Sequence, residues 1–79
     1  MSAKEMFEAL GFLINSNDKD VMSYVSNKIY NPAHKVAVVF YNDLKSVSVH
    51  CGYGKANLIN VNLLKAINQQ CKELGWLDE

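Results

Sequence analysis

His50 and Cys51 are adjacent, and an imidazole beside a thiol is the pairing that a cysteine nucleophile requires. Both fall in SVSVHC, whose alternation of apolar and polar residues reads as a strand. Consecutive strand residues point to opposite faces, so the two side chains are not expected to meet. A zinc ion would have to draw on His34, His50, Cys51 and Cys71, but no C-x-x-C or H-x-x-x-H spacing preorganises them. Gly52, Tyr53, Gly54 and Lys55 look like half of a phosphate loop. The long Gly-to-Gly-Lys spacing is missing, and Ala56 stands where a metal-binding hydroxyl should follow the lysine. Paired carboxylates give no better candidate, since Glu5 and Glu8 share an exposed helix surface and Asp78 and Glu79 close the chain. The expectation is a protein that is not an enzyme, with no catalytic, metal or cofactor-binding residues and no cofactor.

Composition narrows the classes further. Seventy-nine residues suffice for a single domain spanning 1–79, and 49% of them are hydrophobic, enough for one efficient core and too many for a disordered chain. Eight lysines balance eight carboxylates and there is no arginine, the residue best suited to bidentate contacts with phosphate and guanine. Both facts weigh against nucleic acid as a partner. The opening MSAKEMFEALGF mixes Lys4, Glu5 and Glu8 with its apolar residues, unlike a signal peptide, and no segment reaches the roughly 20 apolar residues of a membrane span. A cytoplasmic protein with no membrane partner is expected. In that setting Cys51 and Cys71 read as free, small hydrophobes rather than a disulfide.

The elements that would position these residues have clear punctuation. Ser2-Ala3-Lys4-Glu5 is a capping box, Met1 and Met6 occupy the positions of a hydrophobic staple, and Gly11 can end a helix running from about Ala3 to Leu10, with Phe12 folded back on Phe7. Asn60 is a good N-cap for a second helix, whose residues Leu63, Leu64, Ile67, Cys71 and Leu74 fall within an arc of about 100°. Gly75 would close it and turn Trp76 back onto the last turn. Between the helices the period shortens to two. Val36, Val38 and Phe40 share one face and Ala37, Val39 and Tyr41 the other, as in a central strand, and SVSVHC follows after Asn42 and Asp43 to complete a hairpin. FLIN and DVMSYVSNKIY, separated by the polar stretch from Asn15 to Asp20, suggest a preceding hairpin, and Asn31-Pro32 marks a break before the central strand. The predicted fold is α+β: a short N-terminal helix, an antiparallel meander of three to four strands, and a C-terminal amphipathic helix packed on one sheet face.

Two such helices can cover one face of a small sheet but hardly both. Val39 and Tyr41, with Ser48 and His50 of the next strand, would then form a mixed apolar and polar patch on the opposite face, the kind of surface a partner or a second copy covers. The segments SAKEMFEALGF and LLKAINQQCKELGWLDE resemble the ends of a group of short proteins encoded by phages and prophages of Gram-positive bacteria, a likeness covering about a third of the chain. The resemblance implies an accessory protein of the phage cycle in the host cytoplasm; its matching residues are architectural and bring no catalytic or ligand motif. The expected function is that of a non-enzymatic interaction module binding a host or phage protein, with a homodimer as a further partner state. The alternative is nucleic-acid binding through Lys28, Lys35, Lys45 and Lys55.

Overall fold

The computed structural model describes residues 1–26, 36–51 and 59–77, with Cys51 described by its backbone alone. Helix α1 (Ala3–Ala9) leads into a hairpin of β1 (Phe12–Asn17) and β2 (Val21–Ser26), then into a second hairpin of β3 (Val36–Tyr41) and β4 (Ser46–Cys51), and α2 (Val61–Glu73) follows. The four strands form an antiparallel sheet in the order β1-β2-β3-β4. This is the expected α+β meander with its full complement of four strands.

Helix α1 begins with the capping box in full. The Glu5 amide donates to Ser2 Oγ and the Ser2 amide donates to Glu5 Oε1, so both donors at the helix start are satisfied. Met1 is 81% exposed, so the staple does not contribute; the box and a carboxylate from the other end of the chain hold this terminus instead. That carboxylate is Glu73 Oε2, which accepts from the Ala3 amide at 2.8 Å and ties α2 to α1. Gly11 sits at φ +89, the left-handed conformation that releases the chain from the helix, and Phe12 meets Phe7 edge to face.

Helix α2 starts at Asn60, whose side chain accepts from the Leu63 amide. Its end is a complete Schellman closure: the Gly75 amide donates to the Lys72 carbonyl and the Trp76 amide to the Cys71 carbonyl, with Gly75 at φ +77. The buried face differs from the expected one. Leu64 is 56% exposed, while Leu63, Ala66 and Gln70 are buried and Ile67, Cys71 and Leu74 line the margin. At about 100° per residue, Ala66 and Gln70 rotate the contact stripe away from Leu64. Ala66 is small and fully enclosed in the core, and Gln70 is drawn inward by a polar partner, neither of which a count of large apolar residues registers.

The core lies between the two helices and one face of the sheet, with Phe7, Phe12, Tyr24, Val38, Phe40, Leu63 and Ala66 at its centre. Phe7 stacks on Tyr24 at 4.0 Å between ring centroids, and Phe40 meets both edge to face. Tyr24 keeps its hydroxyl satisfied at depth by donating to Gln70 Oε1 at 2.7 Å. Trp76 packs its ring against Phe40 and donates from Nε1 to Asn42 Oδ1. Asn42 in turn donates its Nδ2 to the Lys19 carbonyl and its backbone amide to the Asp20 carbonyl, so one turn residue joins both hairpins to the C-terminal tail. Trp76 is thus part of the closure of the fold, half-buried rather than fully enclosed. The Asn31-Pro32 break lies outside the described residues.

Candidate binding face

Strand register decides which side chains share a face. Tyr24 pairs with Val38 and Val38 with Val49; Met22 pairs with Phe40 and Phe40 with Val47. These rows face the helices. The alternate rows therefore face away: Leu13, Val25, Ala37 and His50 form one, and Ser16, Ser23, Val39 and Ser48 the next, with Val21, Tyr41 and Ser46 beyond. Both helices contribute to the same core, Phe7 from α1 and Leu63 and Ala66 from α2, so among the described residues no element lies across the second face.

All four residues expected on that face are there. Val39 stands directly opposite Ser48, Tyr41 is two residues along β3, and His50 is two residues along β4. Ser48 links the polar members: its Oγ lies 2.8 Å from His50 Nε2 and 3.4 Å from the Tyr41 hydroxyl. Val39, Tyr41 and Ser48 are half-buried by their neighbours and His50 is exposed. The apolar members Leu13, Val25, Ala37 and Val39 form a band beside this hydroxyl-imidazole group, and Leu13 is 49% exposed.

One part of the face was not legible from residue types. The register between β1 and β2 shifts between Ile14 and Ser16, so Asn15 is an extra residue in β1. The bulge reverses the alternation, leaving Phe12 and Ile14 on the rows that face the helices and placing Ser16 on the open face. There Ser16 and Ser23 share a hydrogen bond of 2.7 Å, and Asn15 Nδ2 donates to the Ser23 hydroxyl. A polar seam thus begins at the β1 side of the face, is interrupted by Val39, and resumes at Ser48.

The catalytic candidates can be placed as well. Ser48 and His50 touch, which superficially offers a hydroxyl and a base, but they are neighbours on one strand of an open sheet face, a geometry that alternation alone produces. A nucleophile would need a second group to orient the imidazole and donors to receive a developing oxyanion. Among the described residues no side chain hydrogen-bonds the other imidazole nitrogen. His50 pairs with Ala37 and Cys51 with Val36, consecutive rungs of a regular ladder. Cys71 is a free, partly buried thiol whose pKa is raised by desolvation, the opposite of an activated nucleophile. No group of three or more His, Cys, Asp or Glu suited to a metal is found among the described residues. His34, Lys28, Lys35 and the Gly-Tyr-Gly-Lys segment with Lys55 lie outside the described residues. Of the four lysines of the nucleic-acid alternative only Lys45 is placed, exposed in the turn between β3 and β4. No helix among the described residues is long and apolar enough to cross a membrane.

No protein-family model, curated protein or solved structure matches this chain.

Proposed function

We propose that this protein is a small non-enzymatic interaction module that binds another protein through the sheet face bearing Val39, Tyr41, Ser48 and His50. The observation that carries the proposal is the one-sided placement of the helices: Phe7, Leu63 and Ala66 all enter one core, while the opposite face keeps a half-buried apolar band next to a hydroxyl-imidazole group. Such a face combines area that gains from losing water with polar groups able to fix the orientation of a partner. A tyrosine at its margin suits this role, since Tyr supplies large contact area and a hydrogen-bonding tip at low entropic cost. The resemblance of the two chain ends to short phage and prophage proteins supports a host or phage protein as the partner and the host cytoplasm as the setting.

The test is affinity capture from host lysate, with and without phage infection, using the wild-type chain, Val39→Lys and Lys4→Glu. Val39→Lys puts a charge in the middle of the open face, whereas Lys4 lies exposed on α1. A protein retained by wild type and Lys4→Glu but lost with Val39→Lys is the expected result. Retention by all three variants, or co-purification of nucleic acid released by moderate salt, would overturn the assignment of the face.

A further inference from the structure

The two edges of the sheet are treated differently. β1 carries the Asn15 bulge, a device that keeps an edge from pairing with another chain. β4 has no such bulge among the described residues. Its pairing with β3 runs without a shift from Ser46 to Cys51, and the sequence SVSVHC contains no Lys, Asp, Glu or Pro. An edge of this kind is a template for a further strand.

We propose that β4 pairs with β4 of a second copy, antiparallel about a two-fold axis through Ser48, to give a continuous eight-stranded sheet. Self-complementarity points to a second copy as the occupant. A two-fold axis perpendicular to the sheet is the operation that sets one edge strand antiparallel beside its own copy, and it keeps both sets of helices on the same side. Centred on Ser48, it sets Val47 opposite the partner's Val49, Ser48 opposite the partner's Ser48, and Ser46 opposite the partner's His50. Apolar meets apolar on the helix side, hydroxyl meets hydroxyl or imidazole on the open side, and no like charges oppose each other. The operation pairs the β4 edge of each copy and leaves the two bulged β1 edges outermost, so assembly stops at two. This inference does not depend on the open face binding another protein, although pairing would join the two open faces into one.

The test is molar mass in solution by light scattering or sedimentation, over a dilution series reaching millimolar protein, for wild type, Ser48→Lys, Ser48→Asp, an equimolar mixture of those two, and Val39→Lys. Wild type is expected to approach twice the chain mass of 8.9 kDa as concentration rises. Ser48→Lys and Ser48→Asp each set like charges directly opposite, with Cβ atoms about 5 Å apart, and are expected to remain monomeric. Their mixture is expected to recover the dimer, which also shows that both variants are folded. Val39→Lys, on β3 and away from the edge, is expected to dimerise as wild type does. A wild type monomeric throughout, a dimeric Ser48→Lys, a mixture that stays monomeric, or a monomeric Val39→Lys would each overturn the pairing. Because Val39→Lys removes partner capture and spares the edge, the two proposals fail separately.

Discussion

Changing Tyr24 to Phe removes one oxygen atom and keeps the ring that stacks on Phe7. Tyr24 is 1% exposed and Gln70 4%, and their hydrogen bond of 2.7 Å is made where water cannot substitute for either partner. Removing the hydroxyl therefore leaves the Gln70 carbonyl oxygen buried without its donor, a loss of about 1–3 kcal/mol. Gln70→Leu strands the Tyr24 hydroxyl in the same way and carries a similar cost. The double variant Tyr24→Phe/Gln70→Leu removes both polar groups and fills nearly the same volume with apolar atoms, so it should be nearly as stable as wild type, because paired deletion leaves nothing unsatisfied. With each single change costing about 1–3 kcal/mol and the double change almost nothing, a coupling of roughly 2–6 kcal/mol follows for the pair, well outside the ~0.5 kcal/mol within which independent sites add. In a domain of this size each kcal/mol moves the melting temperature by about 4–8 °C, so urea titration and thermal melts followed by circular dichroism resolve the cycle. If the two single losses simply sum in the double variant, the pair is not a coupled buried unit and the account of why Gln70 faces inward fails.

The same tyrosine gives a pH signature. Burial, then the negative charges of Glu73 and Glu8, raise the Tyr24 pKa above its ordinary value of about 10. The native state therefore holds this proton more tightly than the unfolded chain, so its contribution is intact below the unfolded pKa and is lost as pH rises through the folded one; the wild-type stability should fall more steeply above pH 10 than that of Tyr24→Phe. At the acid end, the Ser2 backbone amide, then the Ser2 hydroxyl, lower the pKa of Glu5, so its contribution is present above the unfolded carboxyl value and lost as pH falls through the folded one, a dependence that Glu5→Gln should remove in acid titrations. Gly75→Val forces a β-branched residue to φ +77 and should lower stability by about 1–2 kcal/mol, with Gly75→Asn much milder in the same melts. Trp76 is the sole tryptophan, so its emission should be blue-shifted in the native protein and move to the red on unfolding; in Trp76→Phe, packing on Phe40 persists but the bond to Asn42 is lost, at a cost of about 1 kcal/mol.

Local features were written in the chain because their causes are local. The capping box at Ser2 and Glu5, the N-cap at Asn60, and the left-handed glycines at 11 and 75 depend on residues within a turn of one another, and each formed where the sequence placed it. The alternation in VAVVFY and SVSVHC likewise specified two strands and their two faces, which is why Val39, Tyr41, Ser48 and His50 came together on one of them. Gly11 followed by Phe12 and Gly75 followed by Trp76 specify helix closures locally, whereas the contacts of Trp76 with Phe40 and Asn42 are long-range. What the tertiary structure decided involved groups far apart in sequence. Gln70 faces the core because Tyr24 presents a buried hydroxyl to it, and Leu64 is turned out because the buried stripe of α2 runs through Leu63, Ala66 and Gln70 instead. Asn42 became the junction of two turns and the C-terminal tail, and Asn15 became a bulge through the pairing of β1 with β2. A residue's own chemistry fixes what it is able to satisfy nearby, whereas burial and register are set by the partners that folding brings to it from elsewhere in the chain.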